Sequence, residues 1–337
     1  MKPLLKSNSL NKKKFKFSNS LGILVVIILF ALLIQTRSAE FISRDNFITL
    51  MRNSSIIIIV GFGQMVVMAG SGLNVAIGSI GGLAAVLVGA FVQRVGLHWG
   101  LAVVIAILLG ACCGALNGIL ITRLGSTGEI SWLVTLATMS IFAGITLTIT
   151  KANPFYNLPE GFTWIGSYNV GGVIPVMFII AVVFAVLIWF IFKHSSFGHQ
   201  VLAVGANQRA ATLSGIHVTS VIILKHIISA TLAASAGILF STRLGSIHSD
   251  IGLDWMLFSF AAPLIGGARM EGGRVNVFGA FLGGILLAMV SNAVVHLKVN
   301  VYIVEFLQGV IILLAVGLDR IRAIREEHRD RMERAKI

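Results

Sequence analysis

Charged side chains are scarce in this chain. Asp, Glu, Lys and Arg make up 12% of its 337 residues, whereas 56% of the residues are hydrophobic. The mean hydropathy is +0.93. A chain of this composition cannot present an ordinary polar surface to water, so a soluble globular protein is excluded and a membrane protein is predicted.

Cysteine is almost absent, with two residues, Cys112 and Cys113, adjacent in one apolar run. Neighbouring cysteines provide neither a disulfide framework nor the paired spacing of a zinc site, so we interpret both as small packing residues. The eight histidines lie in loops and at span ends without the spacing of metal ligands. We therefore expect no metal site.

The sequence motifs of common enzyme active sites are also missing. The chain has no G-x-x-x-x-G-K-[ST] phosphate loop, no H-E-x-x-H and no G-x-S-x-G. We expect no catalytic residues, no intrinsic ATP hydrolysis and no cofactor bound by this chain.

Long apolar runs fill most of the sequence. A helix of about 20 residues covers the roughly 30 Å hydrocarbon slab of a bilayer. The fold class expected is therefore an all-α integral membrane protein with about ten transmembrane helices and no soluble domain. The ten predicted spans are 20–36, 53–69, 75–93, 99–121, 131–150, 173–192, 219–240, 255–268, 275–297 and 300–318. Spans two, three and eight are short or interrupted by glycine, so re-entrant segments are the alternative there.

Basic residues predict the orientation, since Lys and Arg resist translocation. With ten spans both termini share one side, and the segments on that side hold 18 of the 26 Lys and Arg residues. We expect a basic cytoplasmic tail (1–20), a transmembrane domain (21–318) with a cytoplasmic segment at 193–218, and a charged cytoplasmic tail (319–337). The net charge of +13 is concentrated in these tails. It favours anionic lipid headgroups over nucleic acid as the partner.

Small residues and stranded polar residues mark the spans. G-x-x-x-G pairs let helices approach closely and predict protein neighbours. They occur at Gly110, Gly114 and Gly118, at Gly78 and Gly82, and at Gly279 and Gly283.

Ionisable residues in a span suggest a transport pathway. Glu305 shares a helix face with Tyr302 and Gln308, although solvent or Lys298 near the helix end could satisfy it instead. Weaker pathway candidates are Asn117, Thr135, Thr138, Ser291 and Asn292.

The polar segment 193–218 interrupts two hydrophobic spans. Asn207 is suited to cap a short helix at 208–214, and Gly215 is suited to end it. Ala210, Ala211 and Ser214 would give this helix a flat face that fits a groove on a partner, with loops connecting it to spans six and seven. An interfacial helix resting on lipid is the alternative.

Several blocks of the sequence resemble the permease subunits of ribose-type monosaccharide ABC importers, and they keep the family's order and spacing over residues 45–319. The segment 193–218 resembles their cytoplasmic coupling segment through Ser196-Phe-Gly198, Ala203-Val-Gly205-Ala-Asn207, Ala210-Ala211 and Ser214-Gly215-Ile216. Further similar blocks are Gly72-Leu-Asn74-Val-Ala-Ile-Gly78-Ser79, Trp132-Leu-Val-Thr135-Leu136, Ile265-Gly266-Gly267 with Gly272-Gly273-Arg274, and Ala315-Val316-Gly317-Leu318-Asp319.

The resemblance implies a type II ABC importer permease fold in a bacterial inner membrane. The expected partners are an ATPase that carries ATP and Mg²⁺, an extracytoplasmic sugar-binding protein, and a second permease copy, identical or different. The sugar would be a ribose-like pentose, a hexose or a related polyol. Asn74 and Ser79 join the pathway candidates. The ATPase-coupling residues implied are Phe197, Gly198, Gly205, Asn207, Gln208, Arg209, Ala210, Ala211, Ser214 and Gly215.

The chain departs from the family pattern at several positions. The family usually has Asp at position 74, acidic residues at 208 and 209, Gly at 275, and a small or hydroxyl residue at 269, where this chain has Asn74, Gln208, Arg209, Val275 and Arg269. We therefore hypothesise a matched ATPase with complementary acidic residues. Two other functions stay open at this point: an ATP-independent carrier or facilitator, and a membrane scaffold or sensor.

Overall fold

The computed structural model describes residues 19–297 continuously and, beyond them, the single positions 303, 306, 309, 310, 313 and 317. The described part is almost entirely helical, which confirms the all-α prediction. Seven of its helices are long and apolar enough to cross a membrane. They are α2 (Arg44–Ala69), α3 (Ile77–Arg94), α4 (Trp99–Leu124), α5 (Gly128–Thr150), α7 (Val176–His194), α10 (Val218–Leu244) and α12 (Val277–His296).

Two shorter apolar helices match predicted spans one and eight. These are α1 (Asn19–Gln35) and α11 (Trp255–Ile265). At 1.5 Å per residue, the 11 residues of α11 rise only about 16 Å, so this helix is too short to cross the slab. The prediction of helix through residue 268 is wrong, because Gly266 and Gly267 end the helix and Gly267 has φ +87°. Most of predicted span ten lies outside the described residues, so the count of ten remains approximate.

The second span begins earlier than its apolar run. Helix α2 starts at Arg44, nine residues before the predicted start. Ser43 caps it by accepting a hydrogen bond from the Asn46 amide, and Asp45 lies in the first turn, where a negative charge suits the helix dipole. The first two turns of α2 are therefore helical although they are polar, and a prediction from hydropathy leaves them out.

The connections contain the remaining elements. Helix α6 (Glu160–Ser167) and the two-residue strands β1 (Asn169–Val170) and β2 (Ile174–Pro175) fill the segment between α5 and α7. The strands pair antiparallel, and Val170 lies opposite Ile174. Helices α8 (Ser196–Ala206) and α9 (Gln208–Leu213) fill the segment between α7 and α10.

The bundle has a buried centre and an apolar exterior. Helices α2, α3, α10 and α12 are mostly buried, whereas α4, α5 and α7 bury a third or less of their apolar windows. Exposed apolar side chains such as Val183, Val186 and Phe190 on α7 are typical of a surface that faces lipid. At the end of α7, the Lys193 ammonium lies 4.6 Å from the ring centre of Trp189.

Glycine seams hold the helices together, as the G-x-x-x-G pairs predicted. A Cβ added at Gly110 would lie 2.6 Å from the Ala234 Cβ, and one at Gly118 would lie 2.6 Å from the Ile223 Cα. These contacts fix α4 against α10. Gly78 and Gly82 meet the backbone of Gly252 and Ile251, and Gly279 and Gly283 meet that of Gly266 and Ala262. Of the two cysteines, Cys113 is partly buried as expected, but Cys112 is exposed on the outside of α4.

Candidate functional site

The polar segment 193–218 folds into two helices. The Asn207 Oδ1 accepts a hydrogen bond of 2.9 Å from the Ala210 amide, which confirms Asn207 as the cap of α9. Helix α9 ends at Leu213, one residue before the predicted end, and Gly215 follows with φ +83°. That left-handed conformation is accessible to glycine without strain, so the predicted stop is also confirmed.

The connection before Asn207 is a helix and not the expected loop. The Ser195 Oγ accepts from the Gly198 amide at 3.0 Å and caps α8. Val201 and Val204, three residues apart on one face, are buried against the bundle. Gly198 lies against the backbone of Ile191, where α7 ends, and this contact allows the sharp turn between the helices. Segment 193–218 is therefore a connected helical unit.

The C-terminal end of α8 is fixed to the bundle by a backbone junction. A Cβ at Gly205 would overlap the Ala69 carbonyl oxygen and lie 2.7 Å from the Gly273 amide nitrogen. The Gly273 amide itself donates to that carbonyl at 2.9 Å. Three chain segments meet here without intervening side chains: the end of α2, the end of α8 and the loop between α11 and α12. We call Ala69, Gly205 and Gly273 the glycine junction.

The ten predicted coupling residues divide into three groups. Gly198, Gly205 and Ala211 face their own chain, so the flat face expected from Ala210, Ala211 and Ser214 is not a single outward surface. Phe197 and Gln208 are partly buried. The exposed members are Asn207, Arg209, Ala210, Ser214 and Gly215.

Leu213 was missed by the sequence reasoning. It is 84% exposed at the end of α9. A signal was available, since Leu213 is the one large apolar residue in the run 205–215. An exposed leucine beside Arg209 on a short capped helix gives the protrusion both an apolar contact and a charge.

A second polar cluster surrounds the break between α2 and α3. The Asn74 Nδ2 donates to the Ser229 Oγ at 2.9 Å, and its Oδ1 accepts from the Ala76 amide at 3.1 Å. The Thr135 Oγ1 accepts from the Val75 amide at 3.1 Å. The Val75 and Ala76 amides lie outside a helix and so lack helical hydrogen-bond partners, and these side chains supply the partners. An unpaired backbone amide inside a membrane would cost several kcal/mol.

The same break is held by two further helices. The Ser131 Oγ on α5 donates to the Leu73 carbonyl at 2.7 Å. The Lys225 ammonium on α10 donates to the Gly70 carbonyl, also at 2.7 Å. Side chains from α5 and α10 thus replace the missing helical hydrogen bonds of residues 70–76. We call this segment with its polar partners the α2–α3 cage.

The pathway candidates do not converge on one place. Asn74, Ser79, Thr135 and Thr138 lie in or beside the cage, where Thr138 donates to the Thr135 carbonyl and Ser79 to the Ala76 carbonyl. Asn117 is buried in α4, with neither amide atom bonded in the described part of the chain. Tyr302, Glu305 and Gln308 lie outside the described residues. The pathway assignment of all these residues stays a prediction.

Asn292 lies at the opposite end of the bundle, where it exchanges two hydrogen bonds with Asn46, of 3.0 and 2.8 Å. His296, four residues after Asn292 on α12, contacts Phe41 edge-on and lies 3.4 Å from the Ser38 hydroxyl.

An apolar cavity of about 610 Å³ adjoins the cage on its exposed side. Its walls include Gly72 of the break, Gly128 and Trp132 of α5, and Met270 of the loop before α12. This loop also forms part of the glycine junction. The break, the junction and segment 193–218 therefore occupy one end of the bundle and contact one another.

The comparisons with known proteins decide the family. The family described as branched-chain amino acid transport system / permease component matches residues 46–316 of this chain. The chain belongs to that family. Within it, the permease is 30% identical over 322 residues to the D-allose transport system permease protein of Escherichia coli, which covers 94% of this chain and 97% of the relative.

Other relatives of the permease are sugar permeases as well. It is 32% identical over 313 residues to the ribose import permease protein of Bacillus subtilis, covering 90% of this chain and 92% of the relative. It is 29% identical over 342 residues to the galactose/methyl galactoside import permease protein of Salmonella typhimurium, and the match covers 95% of this chain and 100% of the relative. No solved structure matches the chain. The resemblance to ribose-type importer permeases is confirmed, and the permease is the transmembrane subunit of a sugar importer.

Proposed function

We propose that this permease passes a monosaccharide from an extracytoplasmic binding protein to the cytoplasm in an ATP-driven importer. The sugar class is a ribose-like pentose, a hexose or a related polyol, because the similar permeases are named for ribose, D-allose and galactose. An ATPase partner hydrolyses ATP with Mg²⁺, and the permease binds neither.

One observation carries the mechanism: the exposed helix α9 is mechanically connected to the bundle at both ends. On one side it follows α8 through the Asn207 cap, and α8 ends at the glycine junction with α2. On the other side it leads into α10, whose Lys225 contacts the end of α2. A force on Leu213 and Arg209 therefore reaches both α2 and α10.

The proposed cycle is alternating access. Closure of the ATPase pair on ATP moves segment 193–218 as a unit, and α2, α7 and α10 transmit the movement to the α2–α3 cage. ATP biases the equilibrium because it binds the closed ATPase state more tightly than the open one. A second permease copy, identical or different, encloses the pathway.

The orientation proposed follows the basic residues. The end of the bundle with segment 193–218 and both termini face the cytoplasm of a bacterium, since that side holds 18 of the 26 Lys and Arg residues. The opposite end, with α6 and the β1–β2 hairpin, then faces the binding protein.

Uptake by the reconstituted assembly tests the proposal. The permease, its ATPase and its binding protein are placed in proteoliposomes, and uptake of labelled D-ribose, D-allose and D-galactose is measured with and without ATP on the ATPase side. We expect uptake of at least one sugar to require both ATP and the binding protein. Equal uptake without ATP supports a facilitator, and uptake of L-leucine in place of sugars contradicts the substrate class.

A further inference from the structure

A second cavity lies at the end of the bundle opposite segment 193–218. It has a volume of about 470 Å³ and is enclosed by α2, α10, α11 and α12. This volume falls in the range of small-molecule sites, about 300–1,000 Å³. The end of α10 at Arg243 and the start of α11 at Asp254 form its polar walls. We call it the outer cavity.

The apolar part of the outer cavity is built from aromatic side chains. The Phe240 and Trp255 rings meet edge-to-face, with centroids 5.8 Å apart. A Cβ added at Gly81 would lie 2.8 Å from the Trp255 ring, so α3 supports this ring from behind. Phe258, one turn after Trp255 on α11, also lines the cavity. The aromatic wall is therefore held by packing on its far side.

The polar part carries two opposite charges that do not neutralise each other. The Arg243 guanidinium donates a hydrogen bond to the Asn53 Oδ1. This bond uses one of the five N–H donors of the guanidinium. Asp254 precedes α11 without capping it and accepts no hydrogen bond from the described residues. Arg243 and Asp254 line one cavity, yet they form no ion pair within the described part of the chain. Donors and acceptors are thus both available to a ligand.

We propose that the outer cavity binds a monosaccharide directly, as a subsite of the permease distinct from the binding protein. The Asp254 carboxylate accepts hydrogen bonds from neighbouring sugar hydroxyls, and Arg243 with the Asn53 amide donates to sugar oxygens. The aromatic wall contacts the C–H groups of the ring. This inference rests on the proposed function, and it names where the incoming sugar is held.

A zwitterionic amino acid is the competing ligand, because Arg243 could bind its carboxylate and Asp254 its ammonium. The lining favours a polyol. Asn53 on α2 and Ser291 on α12 add neutral hydrogen-bonding groups, so the polar groups surround the cavity and are not confined to two charged points. Asn292 also lines the cavity, but its amide is paired with that of Asn46. A monosaccharide, with hydroxyls on most of its carbons, can use such a distribution.

Binding to the permease alone tests the proposal. The full chain is placed in nanodiscs without ATPase, ATP or binding protein, and saturable binding of labelled D-ribose, D-allose and D-galactose is measured in the millimolar range. Asp254→Asn removes the charged acceptor, and we expect the dissociation constant to rise about tenfold. Asp250→Asn is the matched control, since Asp250 is exposed in the same connection but does not line the cavity. Its dissociation constant should match that of the unaltered chain.

A second measurement does not depend on Asp254. In a Cys112→Ala, Cys113→Ala background, Val295→Cys places a thiol on the cavity lining, where Val295 is 64% exposed. Val95→Cys is the control outside the cavity, where Val95 is 63% exposed. D-Ribose, D-allose or D-galactose should slow modification of the first thiol by a charged maleimide and leave the second unchanged.

Three results overturn the subsite: no saturable binding and no protection by any of the three sugars, equal effects of Asp254→Asn and Asp250→Asn, or competition by L-leucine. These outcomes are separable from failure of the proposed function. ATP-driven uptake can persist when the outer cavity binds nothing, and sugar can bind here when uptake needs no ATP.

Discussion

The Lys225 ammonium lies 2.7 Å from the Gly70 carbonyl oxygen, to which it donates a hydrogen bond across 155 residues of sequence. Its second contact, 3.5 Å away, is the Val67 carbonyl oxygen. Val67 lies in the last turn of α2 and Gly70 is the C-cap residue that follows it, at the end of the helix where the helix dipole places negative charge. A buried lysine on α10 therefore ends α2 and holds the two central helices together.

Lys225→Met should destabilise the permease. Methionine fills a similar volume but leaves the Gly70 carbonyl buried without a donor, at a cost of about 1–3 kcal/mol. Removal of a buried charge recovers part of that cost, so we expect the lower half of the range. Thermal unfolding in nanodiscs measures the effect, with Lys151→Met at an exposed position as the control. A melting temperature equal to that of the control would show that Lys225 contributes nothing to the α2 end.

Gly205→Ala should reverse the usual sign of a glycine-to-alanine change in a helix. Alanine normally stabilises a helix by about 0.5–1 kcal/mol relative to glycine. At Gly205 the added methyl overlaps the Ala69 carbonyl, and backbone atoms cannot move aside as a flexible side chain can. Gly144→Ala is the control, because Gly144 is in α5 with no atom within 4 Å of the added methyl.

We expect Gly205→Ala to lower the thermal stability of the permease and its ATP-driven uptake together, and Gly144→Ala to lower neither. If Gly205→Ala were as stable as Gly144→Ala, the glycine junction would not be a rigid contact.

These two contacts show where sequence reasoning reaches its limit. The apolar runs located the spans because their length matches the bilayer, and the G-x-x-x-G pairs named helix seams that the structure contains. Neither argument could identify the partner of Lys225, which depends on how distant segments pack. Lys225 falls within the predicted span 219–240, but an apolar run by itself assigns it no role.

Short polar segments were harder to predict than spans. A loop was expected between span six and the short helix, yet Ser196–Ala206 form helix α8, and its two glycines, Gly198 and Gly205, contact other segments of the chain. The Asn207 cap was predictable because a capping side chain and its amide are three residues apart. The outer cavity was not predictable from the sequence, since its walls come from four helices separated by long stretches of sequence.

Leu213→Ala should weaken attachment of the ATPase without unfolding the permease. An exposed leucine contributes little to the isolated chain, whereas burial of its side chain in a partner is worth about 1.5–3 kcal/mol. We expect at least a tenfold loss of affinity for the ATPase, measured by titration of the ATPase into permease nanodiscs. Leu124→Ala is the control, because Leu124 is also exposed, at the end of α4 on the same side of the bundle. Equal losses from both variants would argue against α9 as the docking element.

Arg209→Glu should impair coupling to the native ATPase, because Arg209 is exposed and the family usually has acidic residues in this part of the segment. A matched ATPase surface would then repel the introduced carboxylate. Sugar-stimulated ATP hydrolysis should fall while membrane insertion stays normal. Arg123→Glu, an exposed charge reversal at the end of α4, is the control. Unchanged transport-coupled hydrolysis in Arg209→Glu would exclude complementary acids opposite this residue.

The amide pair Asn46 and Asn292 should show strong coupling in a double-mutant cycle. Each side chain donates to the other, so Asn292→Leu leaves both polar groups of Asn46 without this buried partner, at about 1–3 kcal/mol. Adding Asn46→Leu removes the stranded groups and should recover part of the loss.

Recovery in that double variant cannot be complete, because Asn46 also donates to the Phe41 carbonyl at 2.7 Å and the double variant leaves that carbonyl unpaired. We expect a coupling energy of about 0.5–3 kcal/mol from the melting curves of the four proteins. Strict additivity of the two single changes would mean that the amides do not exchange hydrogen bonds, and that α2 and α12 are joined at this end by apolar packing alone.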